Sequence, residues 1–135
     1  MPNGRRFHEG GRPSISISND TLREIVVAGN AQSLNQEANE LGQYFAQGGE
    51  RDRLSSSQIR NVLDKLQRMK SFDETKLQLL RPLLAYAAGR HGGKVKDLQK
   101  ISDQAIQMVE NNQHFVNFKH FFEAIVAYHR YHGGK

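Results

Sequence analysis

The stretch Leu77-Gln78-Leu79-Leu80-Arg81-Pro82-Leu83-Leu84-Ala85-Tyr86-Ala87-Ala88-Gly89-Arg90, followed by His91-Gly92-Gly93-Lys94-Val95-Lys96, concentrates both apolar packing and positive charge. On a helical wheel Leu79, Leu80, Leu83, Leu84, Tyr86 and Ala87 share an arc of about half the circumference, the pattern of a helix in the middle of a bundle. Arg81 lies just off that arc. Proline at position 82 removes the bond to the carbonyl of Gln78 and predicts a bend. Gly89 then supplies a left-handed stop. Arg90, Lys94, Lys96 and Lys100 follow as a basic rim.

Outward from this stretch, the same helical spacing recurs. Leu22, Ile25 and Val26 predict a first helix after an Asn19 or Asp20 cap, ending near Gly29. Leu34, Ala38, Leu41 and Phe45 predict a second over 33–46, closed by Gly48-Gly49. Glu50-Arg51-Asp52-Arg53 reads as a charged loop. Ser55 and Gln58 form a capping-box pattern ahead of the stripe Ile59, Val62, Leu63, Leu66 and Met69, with Arg60, Asn61, Lys65 and Arg68 on the outer face. Asp73 caps the helix that holds the opening stretch. A further helix spans 94–110, with Val95, Leu98, Ile101, Ala105, Ile106, Met108 and Val109 inward and Lys96, Lys100 and Asp103 opposite. The last, about 115–131, carries Phe115, Phe118, Phe121, Phe122, Ile125, Val126 and Tyr128 and reads as a core or interface helix. The fold class is therefore all-α, a compact bundle of about five to six helices over residues 20–135.

Residues 1–19 mix Gly4, Gly10, Gly11, Pro2 and Pro13 with Arg5, Arg6 and Arg12 and read as a flexible basic tail. Within it, Ser14-Ile15-Ser16-Ile17-Ser18 alternates like a short strand that lacks a partner. The 135 residues bound a single domain, and 37% apolar content reflects long polar faces on clustered helical stripes. Absence of cysteine excludes disulfides and thiolate metal sites. No secretory or membrane-spanning run appears, so a cytoplasmic location without a membrane partner is expected.

Charge is divided unevenly. Residues 1–50 carry four Arg against six acids, net −2, and residues 51–135 carry 15 basic against 8 acidic residues, net +7. With a sequence pI of about 9.7, this points to a polyanionic partner, most simply nucleic acid, against the plainer reading of a solvated face. The cations recur at helix ends and outer faces: Arg51, Arg53, Arg60, Lys65 and Arg68 around one helix; Arg81, Arg90, Lys94, Lys96 and Lys100 around the next two; Lys119 and Arg130 on the last. Such a surface neutralises phosphates without reading bases and needs no cofactor.

Catalytic and metal patterns are weak by comparison. His129 and His132 stand three apart without a third ligand, and neither glycine pair belongs to a nucleotide-cradling motif. His91 or His120 with a nearby Lys would suit a metal-independent ribonuclease, and 58–70 would suit the recognition helix of a DNA-binding regulator. A structural adaptor using the aromatic last helix is a further reading.

Three blocks narrow these readings: Leu54-Ser55-Ser56-Ser57-Gln58-Ile59-Arg60; Leu80-Arg81-Pro82 through Tyr86 to Gly89-Arg90; and Phe121-Phe122-Glu123-Ala124-Ile125-Val126-Ala127-Tyr128-His129. In this order they resemble the small helical subunit of the type III-A CRISPR effector, the Csm complex, over about residues 54–133. The resemblance implies an all-helical, non-catalytic protein present in several copies along a ribonucleoprotein filament. Its implied partners are guide RNA, the paired target RNA, other subunits and adjacent copies of itself. It also implies that Arg60, Arg81 and Arg90 face or brace the RNA. Lys65, Arg68, Lys94, Lys96, Lys119, Arg51 and Arg53 join them from charge and helical position alone. For Arg81 the alternative is a structural ion pair at the bend.

Overall fold

The computed structural model describes residues 15–48 and 53–135; the segments 1–14 and 49–52, with the expected tail cations and Arg51, lie outside the described residues. The described chain is an all-α bundle of α1 (Asn19–Val26), α2 (Ala31–Ala46), α3 (Ser56–Arg68), α4 (Glu74–His91), α5 (Lys94–Ile106) and α6 (Asn112–Tyr131). Five of these begin with a side chain that accepts the backbone N–H three residues on: Ser18, Asn30, Ser55, Asp73 and Asn111. Each satisfies a donor that the helix itself leaves orphaned, for about 1 kcal/mol. At α3 the full capping box is formed, with Ser55 and Gln58 bonded reciprocally.

Several boundaries differ from expectation for local reasons. Asn30 and Asn111 are caps, so α2 and α6 start two and three residues earlier than the apolar stripes alone suggest. α5 stops at Ile106 because Met108 and Val109 donate to carbonyls three residues back, tightening the chain out of the α-helix. Gly89 does not end α4. The helix runs on through Pro82 and Gly89 to His91, and Gly92, at φ +64°, takes a positive-φ conformation open to glycine and ends it. The packed unit also reaches back past the expected boundary at residue 19: Ile15 and Ile17 are buried while Ser16 and Ser18 are exposed, so the alternation is used for packing.

α6 is the hub. Phe115, Phe118, Phe121 and Phe122 are all buried, together with Ile125 and Val126, and α6 packs against α1, α2 and α3. A methyl group on Gly42 of α2 would lie 2.6 Å from the backbone nitrogen of His129 and 2.7 Å from the carbonyl carbon of Tyr128. The two helices therefore touch backbone to backbone, which only glycine permits. Asn117, buried, donates to the carbonyl of Val26 at 2.9 Å and ties α6 to the end of α1. His129, also buried, is satisfied by the carbonyl of Leu54 at 2.7 Å, and the N–H of Leu54 donates to the Phe45 carbonyl.

α4 and α5 form a hairpin that joins this group chiefly through α1 and α5. Here the structure overturns the central placement of α4. Leu77, Leu80, Leu84 and Ala88 are its buried stripe, whereas Leu79, Leu83 and Tyr86 are 60%, 49% and 68% exposed. The helix carries two apolar faces, and the bundle covers one. Arg81 closes the α4–α5 seam as an ion pair, its Nε 2.6 Å from Asp103 Oδ1 and its Nη2 3.1 Å from Oδ2. Gln78 and Gln107 complete the cluster. The hydrogen bonds from Arg81 hold the Asp103 carboxyl below its ordinary value of 3.8.

Two measurements follow. Gly42→Ala gains helix propensity but forces α2 and α6 apart, so it should destabilise by about 1–3 kcal/mol, read as a fall in Tm on the order of 5 °C. Because the folded-state value of Asp103 is depressed, its pairing stabilises the fold above the ordinary carboxylate range, and this is lost as pH falls through the lowered value. Denaturant unfolding of the wild type and Asp103→Asn should show a stability gap that is constant from neutral pH to about pH 4 and closes only in stronger acid.

Candidate nucleic-acid interface

The expected RNA-binding residues separate into exposed cations and cations that hold the fold together. Arg60, Lys65 and Arg68 are exposed on α3, Arg90 is exposed in the last turn of α4, and Lys96 is exposed in the first turn of α5. Among the described residues none of these five side chains takes part in a hydrogen bond or ion pair. On α3, Lys65 and Arg68 are three residues apart and share a face with Asn61, whereas Arg60 lies on a neighbouring stripe with Asp64 and Gln67. Arg53, just before the Ser55 cap, is half-buried, and Arg51 lies outside the described residues.

Three other candidates are engaged in packing. Arg81 is bound to Asp103, which is the ion-pair alternative. Lys94 reaches from α5 to the end of α2, where Nζ donates to the carbonyls of Tyr44 and Gln47 at 2.6 and 2.8 Å and lies 4.3 Å from the centre of the Tyr44 ring. Tyr44 in turn donates from its hydroxyl to the buried Asp97 at 2.6 Å. Lys119 donates to the carbonyl of Met69 at 3.0 Å, just past the end of α3. These two lysines meet carbonyls at the C-terminal ends of α2 and α3, where the helix dipole favours positive charge. Sequence position gave both a place on the outer face, because the carbonyl that captures each one is 47–50 residues away.

Between α3 and α4 runs an open groove of about 490 Å³. Leu80, Leu84, Val95 and Leu98 contribute its apolar floor, Lys65 and Arg90 its cationic edge, and His91 also lines it. Among the described residues no Asp or Glu lines it. The groove thus gathers two of the five exposed cations; Arg60, Arg68 and Lys96 lie outside it. Of the two histidines considered as bases, His91 lines the groove and His120 is exposed on α6 away from it. Among the described residues no three His, Asp or Glu side chains converge as metal ligands would.

Leu79, Leu83 and Tyr86 are the surface feature that the sequence reading missed. The signal was available: the apolar residues of α4 spread too far around the wheel for one buried stripe, and the excess forms a second one at i, i+4 and i+7.

No helix among the described residues is long and apolar enough to cross a membrane. In comparisons with curated proteins and with solved structures nothing matches. A family model described as Csm2 Type III-A matches residues 28–135, extending the likeness of the three sequence blocks back through the whole of α2. With its capped α3, its proline-containing α4 and its aromatic α6 all inside that match, the chain belongs to the Csm2 family and is a small subunit of the type III-A CRISPR effector complex.

Proposed function

We propose that this subunit is a non-catalytic RNA-phosphate-binding element of the effector, lying against the guide RNA and its paired target in the cytoplasm and repeated in adjacent copies along the filament. The observation that carries the reading is the set of exposed cations left over once Arg81, Lys94 and Lys119 are assigned to the fold. Arg60, Arg68 and Lys96 are the phosphate ligands, and Lys65 and Arg90 at the groove edge add to the positive field. Lysine and arginine on rigid helices supply charge without base-edge geometry, so binding is independent of sequence. A single subunit holds few phosphates. Several copies along one strand convert weak contacts into strong retention.

The test is target-RNA binding by the assembled complex across a salt series. Replacing Arg60, Arg68 and Lys96 together with Ala should weaken binding and flatten the dependence of log K on log salt by about 0.7–0.9 for each phosphate no longer neutralised. Unchanged affinity and slope would remove these residues from the RNA face. Lys94→Met serves as the contrasting variant: it leaves the end of α2 without its donor, so it should lower the Tm while leaving the salt slope as in the wild type.

A further inference from the structure

The apolar face of α4 carries no charge for a phosphate and is not among the RNA contacts proposed above. Leu79, Leu83 and Tyr86 stand at i, i+4 and i+7, more than two-fifths exposed, and Leu83 and Tyr86 also line the groove. Three large apolar side chains in a row on one helix make a contiguous patch of the kind that marks a contact surface. The opposite stripe of α4 is already used against α5, so the bundle itself does not cover it.

We propose that this surface is the docking site for an amphipathic helix of a different protein subunit of the effector, one whose apolar stripe is flanked by Asp or Glu. The spacing is that of helix-in-groove recognition, in which residues at i, i+3, i+4 and i+7 of the incoming helix fill an apolar channel. The flanking chemistry follows from the edge of the groove. Lys65 lies on the α3 side and Arg90 on the α4 side, and among the described residues no carboxylate lines the groove. An acidic flank meets a complementary field there, which sets orientation and excludes basic partners.

The same observations argue against two other occupants. A second copy of this chain has no acidic apolar stripe to offer: among the described residues the other large exposed hydrophobic is Tyr131, at the end of α6. RNA bases stack on aromatic faces, and this surface has leucines with Tyr86 as its one aromatic. The inference rests on membership of the effector complex and is independent of the phosphate contacts of Arg60, Arg68 and Lys96.

The complex is assembled with the photo-crosslinking residue benzoylphenylalanine in place of Leu83, irradiated, and the adduct sequenced by mass spectrometry. The expected product joins this chain to another protein subunit, within a helix bearing Asp or Glu beside its apolar stripe. An adduct to RNA, to a second copy of this chain, or no adduct overturns the proposal. In parallel, Leu79→Ser, Leu83→Ser and Tyr86→Ser are combined. Because these side chains are exposed, the free subunit should keep its helix content, while its retention in the complex falls at least tenfold. Full retention of this variant overturns the proposal. If the RNA reading alone fails, the salt slope of the Arg60, Arg68 and Lys96 variant is unchanged while the crosslink still forms.

Discussion

The backbone contact between Gly42 and the Tyr128–His129 segment sets the terms for the rest of the bundle. By letting α2 lie directly on α6, it places four phenylalanines where α1, α2 and α3 can cover them. Helix-on-helix layers are stable when each apolar stripe is buried against another element, and α6 needs three such partners. With α1, α2 and α3 committed there, the α4–α5 hairpin is attached from the side. One face of α4 packs on α5, and the other faces outward with its leucines in view.

Polar side chains close the seams between these helices, and they do so at helix ends. Lys94 meets the last carbonyls of α2, Lys119 the carbonyl after α3, and Asn117 the carbonyl at the end of α1. Each supplies across a tertiary contact the donor that a local cap gives elsewhere. A lysine in this role is both a packing residue and a cation whose charge opposes a helix dipole, and its contribution to the outer field is correspondingly reduced. The basic face offered to a polyanion is therefore narrower than the residue count suggests.

Much of the fold was legible because it is written in short-range signals. The Ser55–Gln58 capping box, the Asp73 cap and the heptad-like stripes of α3 and α6 lie within a few residues of one another, and the structure reproduces them. The three motif blocks carried the family membership by the same route. What failed depended on distance. A wheel drawn on α4 shows which residues are apolar but not how many neighbours are available to cover them, so Leu79, Leu83 and Tyr86 were placed inside. Gly89, read locally as the stop, stays helical, and the chain turns at Gly92, which a second glycine follows. The fates of Arg81, Lys94 and Lys119 were set by Asp103, Tyr44, Gln47 and Met69, partners between 22 and 50 residues away.

The hairpin of α4 and α5 turns on Gly92-Gly93, so bringing its two helices together closes a loop of almost no length. The bond from Asn117 to Val26, by contrast, spans 91 residues. Loop-closure entropy grows with separation, and the two halves of the bundle stand at opposite ends of that scale. In terms of contact order, the surface that faces outward is carried by the most local piece of the chain, and the buried hub by the least local. The outward face of α4 thus rests on a unit whose own closure asks little of the distant chain.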